Sequence, residues 1–330
     1  MTGRGGAGSR AATAAGAPVP DLGAHRIAVL VPCRNEAVAV AGVVRAFAAA
    51  LPEATIHVYD NGSTDDTAAR ARGAGALVEN EPRPGKGNVV RRMFADIDAD
   101  IYLLVDGDGT YDAAAAPALV ARLLEGRLDM VAGRRVSDGA AYRPGHRFGN
   151  RLLTRLVRYI FGQAVGDMLT GYRVFSRRYV KSFPAASEGF EIETELTVHA
   201  LQLRMPVAEV ATVYKERPQG SASKLNTVRD GLRILWTIVV LFKEVRPLPF
   251  FGLWFALLTA ASLVLAWPVL VEYLETGLVP RLPTAVAATG AMLLAFLSLT
   301  CGLILDSVAR GRTEAKRLAY LALPAPRVRR

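Results

Sequence analysis

The segment YLLVDGDGTYD, residues 102–112, drives an apolar run into three carboxylates, Asp106, Asp108 and Asp112, with two glycines between them. Asp106 and Asp108 are alternate residues flanking Gly107. At a turn such a pair can converge on one hard cation, and oxygen donors suit Mg2+ or Mn2+. Mg2+ uses one or two carboxylates and leaves its other positions to substrate phosphates. An EF-hand loop is excluded by register, because its fixed glycine would fall on Tyr111 and its closing Glu on Pro117. The plainer reading of a lone DGD is a solvated turn whose acid caps the next helix. Asp60, in YDNGSTDDT, is a second acid with two readings. It is a turn residue beside a helix capped by Ser63 or Thr64, or an acceptor for the N–H groups of a nucleotide base. RPGKGNVVRR, residues 83–92, places Lys86 in a glycine-flanked turn that resembles a phosphate loop, although the first glycine of a P-loop is missing.

These residues need a frame. Short apolar runs rich in branched side chains, IAVLV at 27–31, IHVY at 56–59, IYLLV at 101–105 and DMVAG at 129–133, alternate with helical patterns near 36–51, 64–73, 88–97 and 117–124. A short strand is expected near 77–78. Strands alternating with helices imply a parallel sheet covered on both faces. Ligands of such sheets sit beyond the carboxyl ends of the strands. Here those ends read VPCRNE, YDNGS, VDGDG and AGRR, all polar and three of them acidic. That clustering lowers the odds of a mere solvated turn at Asp106. Farther on, a helical stretch is expected from Arg147 to Phe161, followed by GDMLTGYRVF and FEIETEL. Residues 225–247 place Leu225, Val228, Leu232, Leu235, Val239 and Phe242 at helical spacing, the pattern of an interfacial amphipathic helix.

The chain has 330 residues, 51% of them apolar, and a formal net charge of +10. The apolar excess is local: no charged residue occurs in the 25 residues 247–271 or in the 24 residues 282–305. A helix needs about 20 apolar residues to cross a bilayer, so 248–271 and 282–305 are expected as two transmembrane helices. The tail 306–330 has seven Lys/Arg against two Asp/Glu, half of the whole-chain excess, whereas the loop 272–281 has two acids and one base. The positive-inside rule puts the N-terminal part and the tail in the cytoplasm, so the basic charge reads as contact with anionic lipid. No basic face with interleaved aromatics marks a nucleic-acid partner. Cys33 and Cys301 lie far apart, without metal-ligand spacing. Residues 1–25, rich in Gly, Ala and Ser, read as a disordered leader.

VPCRNE, YDNGSTDDT, GKGN, VDGDGTYD, AGRR, GYRVF and RPQGSASK occur in that order. Together they resemble family 2 glycosyltransferases, and among them the polyprenyl-phosphate sugar synthases, which include dolichyl-phosphate mannose synthase. The resemblance covers about residues 26–225, and the two-span tail matches one bacterial subgroup. It implies a GT-A fold, Rossmann-like with a mostly parallel sheet flanked by helices, as a catalytic domain over 26–224. It implies roles as well. Pro32, Asn35 and Glu36 would line the nucleoside pocket, Asp60 would bind the base and Lys86 would lie near the nucleotide. Asp106 and Asp108 would hold the metal. Arg217, Ser223 and Lys224 would close over the donor diphosphate. Arg134, shared with or replaced by Arg135, would meet the acceptor phosphate, and Asp167 and Arg173 would lie near the acceptor. Thr110 stands where many relatives carry Gln, which leaves a direct third protein ligand in doubt.

The reaction so implied is inverting transfer of a sugar from a GDP- or UDP-linked donor to a polyprenyl phosphate at the cytoplasmic membrane face. A homo-oligomer is compatible with it. A phosphate oxygen is already anionic and needs no base, whereas a glycolipid or polysaccharide hydroxyl would need one. Glu191 and Glu193 are candidates for that base, with helix-start acids as the plainer reading. The QxxRW string of processive synthases is absent. A non-catalytic, membrane-anchored scaffold is the alternative outside enzymes.

Overall fold

A computed structural model describes residues 22–136, 166–185, 189, 191–215, 217, 236, 239–240 and 242–326. Most of the expected leader, the 147–161 helix, Ser223, Lys224 and most of the expected amphipathic helix lie outside the described residues.

Four strands form a parallel half-sheet: β1 (Ile27–Cys33), β2 (Ala54–Asp60), β3 (Leu77–Asn80) and β4 (Ile101–Leu104). The other strands are β5 (Met130–Val136), β6 (Arg173–Ser176) and β7 (Val207–Val213), and the sheet order is β3-β2-β1-β4-β6-β5-β7. Only β6 runs antiparallel, to both β4 and β5. Central strands buried on both faces read as continuous apolar runs, which is why IAVLV and IYLL needed no alternation to become β1 and β4.

The helices flanking the sheet are α1 (Val40–Ala50), α2 (Thr67–Gly73), α3 (Lys86–Asp96), α4 (Ala116–Glu125), α5 (Arg177–Ser182) and α6 (Ile192–Gln202). Alternate residues of β1 enter opposite cores. Val29 and Val31 pack with Val43, Phe47 and Leu119, from α1 and α4. Ala28 and Leu30 pack with Val90, Phe94, Tyr179 and Leu196, from α3, α5 and α6. Each fully buried aliphatic or aromatic side chain stabilises the fold by about 1.5–3 kcal/mol, so both helix layers are held firmly to the sheet.

The register aligns the functional ends. Cys33 of β1 is level with Asp60 of β2, and Leu30 is level with Leu104 of β4. The chain leaves β1 toward β2 and β3 on one side, while β4 takes the other. The mouth between β1 and β4 is therefore the switch point, where a crevice opens. The segments after β1, β2 and β4 all end there.

Two long helices follow, α7 (Pro247–Thr276) and α8 (Leu282–Leu321). Each is long and apolar enough to cross a membrane. Their apolar side chains are exposed, among them Trp254, Val264, Leu274, Leu293 and Leu297, so they are not core helices of a soluble domain. The tail expected from residue 306 is not a separate segment as far as Leu321. Arg, Ala, Lys, Glu and Leu are good helix formers, and α8 runs through Asp306 without a break until the prolines at 324 and 326 approach.

Candidate active site

The turn after β4 is built around the two acids. Gly107 is required because a Cβ there would run into the Cys33 sulfur, and Gly109 turns the chain at φ 76°. Asp108 is buried; its Oδ1 accepts the Thr110 hydroxyl at 2.6 Å and the Thr110 amide at 3.1 Å. Thr110 thus orients the second acid. The other oxygen, Oδ2, is paired with Arg217 at 2.8 Å. Arg217 arrives because the chain after β7 folds back over this turn: the Lys215 amide donates to the Thr110 carbonyl at 2.8 Å, and Tyr214 bridges to Tyr111.

Asp106 has a different cation. Lys86 opens α3 after Gly85, whose φ of 125° sets the approach. Its Nζ lies 2.5 Å from Asp106 Oδ1 and 2.7 Å from Glu193 Oε1. Burial alone would lower the Lys86 pKa, but the two carboxylates overturn it and hold the ammonium charged. Burial pushes the Glu193 carboxyl up, Lys86 opposes this and the Asp106 charge reinforces it. Glu193, considered from sequence as a base, is in place an ion-pair partner of Lys86. Glu191 is the residue before α6. Gly171 packs directly on the Asp106 carboxylate, which a Cβ at that position would overlap.

Beyond β1 and β2 lies a polar cradle. Asp60 accepts the Ser63 amide at 3.2 Å and also the Ser63 hydroxyl. Asn35, at φ 52°, accepts the Thr64 amide at 2.8 Å, and its own amide donates to the Ser63 hydroxyl at 2.8 Å. The Glu36 amide donates to Thr67 Oγ1 at 2.8 Å. Asn61, which sequence reasoning passed over, ties this cradle to the Lys86 turn. Its Nδ2 donates to the carbonyls of Glu81 and Arg83 at 2.8 and 2.7 Å, and its Oδ1 accepts the Gly85 amide at 2.7 Å. Its neighbour Asp60 drew the attention in YDNGS.

The remaining expected residues divide. Arg135 is locked to Asp167 by two bonds, Nε–Oδ2 at 2.7 Å and Nη2–Oδ1 at 2.8 Å. Burial would raise the Asp167 pKa, but hydrogen bonds and charge from Arg135 hold it below the usual carboxylate range. Arg134 is exposed beside this pair, so it, rather than Arg135, is available to a ligand. Arg173 requires a correction. It is fully buried and spends its donors on the carbonyls of Thr170 and Met168, at 3.0 and 2.6 Å, and on Thr197 Oγ1 at 2.8 Å. It is an internal strut between β6 and α6 and does not reach an acceptor.

The donor set fits a divalent cation. Two hard carboxylates stand at one strand end, each paired with a monovalent cation, Lys86 or Arg217, whose charge a metal–diphosphate complex could share. Among the described residues no cluster of three or more His, Cys, Asp or Glu could hold a metal, so phosphate oxygens would have to supply further ligands.

Residues 28–183 match the model of the family described as "Glycosyl transferase family 2". The chain is 35% identical over 311 residues to glycosyltransferase AglJ of Haloferax volcanii, covering 92% of this chain and 99% of AglJ. This chain belongs to glycosyltransferase family 2. It is also 30% identical over 188 residues to the dolichyl-phosphate hexose transferase of Haloferax volcanii, covering 56% of this chain and 80% of that protein. In fold, GT-A-like, it resembles glucosyl-3-phosphoglycerate synthase from Mycobacterium tuberculosis, crystallised with Mg2+ and uridine diphosphate. The TM-score is 0.57 and the identity 24%, over 69% of this chain and 84% of that one.

Proposed function

We propose that this family 2 enzyme transfers a sugar, with inversion, from a GDP- or UDP-linked donor to a polyprenyl phosphate at the cytoplasmic face of a membrane. The observation that carries the reading is a conjunction. Two acids, each matched to a cation, end β4 in a chain whose last two helices present an exposed apolar surface long enough to span a bilayer. The relative that acts on dolichyl phosphate, by its name, supports the acceptor class.

In this reading Pro32, Asn35, Glu36 and Asp60 hold the nucleoside, with Asp60 receiving the base. Asp106 and Asp108 hold Mg2+ or Mn2+, which when bound neutralises charge on the departing diphosphate. Lys86 lies against Asp106 and lends the diphosphate a buried positive charge as the sugar–oxygen bond breaks. Arg217, paired with Asp108, adds positive charge toward the same diphosphate, and Ser223 and Lys224 are assigned to it by the family resemblance. Arg134 orients the acceptor phosphate through its forked N–H donors. Asp167 fixes Arg135 beside it. The acceptor oxygen is anionic on arrival, so Glu193 can remain tied to Lys86 throughout and no base is needed.

The test is transfer of radiolabelled sugar from a panel of nucleotide sugars in membranes supplied with polyprenyl phosphate. The product is read by mass spectrometry of the lipid fraction. Label should enter the lipid, and Asp106→Ala or Asp108→Ala should abolish transfer while the protein stays folded and membrane-bound. Metal-dependent activity surviving in both variants would refute the site. Label moving only to a hydroxyl acceptor would refute the lipid phosphate.

A further inference from the structure

The buried residues of α8 are Ala288, Ala295, Gly302 and Ala309, every seventh position. Seven residues make two turns less about 20°, so these fall on one face. That face packs on α7. Ser262 Oγ donates to the Ala288 carbonyl at 2.7 Å, Ser298 Oγ donates to the Phe251 carbonyl at 3.1 Å, and a Cβ at Gly302 would press on Phe251.

The face does not end where charge begins. Thr313, Lys316 and Tyr320 continue it at spacings of four, three and four from Ala309, and all three are partly buried. There its partner is no longer α7 but the catalytic domain. Gln202, the last residue of α6, donates to Thr313 Oγ1 at 2.7 Å and accepts from Lys316 Nζ at 3.2 Å. The Tyr320 hydroxyl donates to Asp129 Oδ2 at 2.8 Å, and the Arg178 guanidinium lies 4.5 Å from the Tyr320 ring centroid. Asp129 is fully buried and also bound by Arg178 and Ser176, so Tyr320 docks on a fixed point. Asp129 precedes β5, which is parallel to β4 through β6. It therefore lies at the opposite end of the strands from Asp106, and the docked helix leaves the mouth of the site free.

We propose that α8 is a rigid strut that sets the height and rotation of the active site over the bilayer, with Thr313, Lys316 and Tyr320 as positioning residues. The proposal rests on the membrane-spanning, lipid-acceptor reading above. At 1.5 Å per residue, Thr313 stands about 12 Å beyond Leu305, the last residue of the charge-free stretch, and Tyr320 about 22 Å beyond it. The headgroup layer is roughly 5–8 Å deep on each side, so docking begins just clear of the lipid. Not all of the tail's basic charge is then available to anionic lipid: Arg310 and Arg312 are exposed near headgroup level, while Lys316 is turned to the catalytic domain.

The experiment uses the full chain in nanodiscs, with Leu77→Cys on the exposed edge strand β3 carrying a dye in a Cys301→Ser background, Cys33 being buried. Energy transfer to a dye on lipid headgroups reads the height of the domain. Two changes are compared: the double variant Lys316→Ala/Tyr320→Ala, and a seven-residue helical insertion after Gly311. The insertion keeps the docking face within about 20° but lifts it by about 10 Å. The insertion should lower energy transfer, and the double variant should broaden its distribution. Both should raise the KM for membrane-embedded polyprenyl phosphate at least tenfold, with nucleotide binding unchanged. A merely stabilising contact would lower the melting temperature and leave height and lipid KM alone, and that result overturns the strut. If the parent protein transfers no sugar to lipid phosphate, the functional reading fails, and the energy-transfer arm still decides the strut by itself.

Discussion

Gly171→Ala is a small substitution with a large expected effect on catalysis. A Cβ on Gly171 would lie 2.7 Å from Asp106 Cγ and 2.9 Å from Oδ1, and closer still to Oδ2, where ordinary contact begins at 3.4 Å. The carboxylate must recede by about 0.7 Å or more to admit one methyl group. Gly171 is not among the glycines with positive φ, so alanine brings no backbone strain. Its amide can keep its 2.8 Å bond to the Tyr111 hydroxyl. The damage therefore falls on Asp106 and, through it, on Lys86. Misplacing a reacting or metal-binding group by about 1 Å costs about 100-fold in rate, or about 2.7 kcal/mol in the barrier. Overpacking costs about 1–3 kcal/mol of stability, which leaves the domain folded. The assay is steady-state transfer with a Mn2+ titration, and thermal melting serves as the fold control. The expected result is a kcat lower by about two orders of magnitude and a higher metal half-saturation. Gly42→Ala, in α1 with open space around its Cβ, should leave both unchanged. A Gly171→Ala enzyme within threefold of the parent in kcat and metal response would show that Asp106 is not held where the chemistry needs it.

Other perturbations bear on the same cluster and on its support. Lys86→Met leaves the buried Glu193 and the half-buried Asp106 without their shared cation, and breaking a buried pair such as Lys86–Glu193 costs about 3–5 kcal/mol. The melting temperature in chelator should fall by several degrees, and Mn2+ should restore part of the loss; equal loss with and without metal would place the cation elsewhere. Asp108→Asn should lower transfer at least 100-fold, since the charge that a divalent ion compensates is worth several kcal/mol, and should lower the melting temperature less than Lys86→Met does, because its partner Arg217 is partly exposed and can be solvated. His199 is buried against Tyr179 and Phe183, and burial, with the charge of Lys316, lowers its pKa to about 3. Below the ordinary histidine value of about 6.5 the unfolded chain takes up a proton that the native state refuses. Stability therefore falls as pH drops from about 6.5 toward 3, by about 1.4 kcal/mol per pH unit, or about 2 kcal/mol at pH 5. His199→Gln should flatten that slope in thermal melts between pH 7 and 5, and an unchanged slope would assign the acid sensitivity to other groups.

What could be read from the chain in advance follows the range of the interactions involved. β1 and β4 announce themselves because strands buried on both faces are apolar throughout, and β2 by the branched Ile56 and Val58 that it buries. Their polar ends, VPCRNE, YDNGS and VDGDG, mark the crevice because the parallel topology brings strand ends together whatever their separation in sequence. Lys86 and Asp106 were legible as chemistry but not as a pair. Nothing local says that the first residue of one helix will meet the end of the next strand and the first turn of a helix 107 residues later. Arg173 misled for the complementary reason. An arginine in a polar motif reads as a ligand-binding group until its surroundings are known, and here three oxygens and the Met130 sulfur accept from Arg173 inside the core. The charge count of the tail has the same blind spot: it treats every base as free to meet lipid, and Lys316 donates to Gln202 instead. The spacing that sets Lys316 apart, seven residues after Ala309 and fourteen after Gly302, was present in the sequence. It becomes meaningful only if one unbroken helix carries one face from an apolar partner to a polar one. A chain that must hold a soluble active site against a membrane has physical reason to be built so. A flexible linker would leave height and tilt to thermal motion, whereas a helix fixes both with a few hydrogen bonds at its far end.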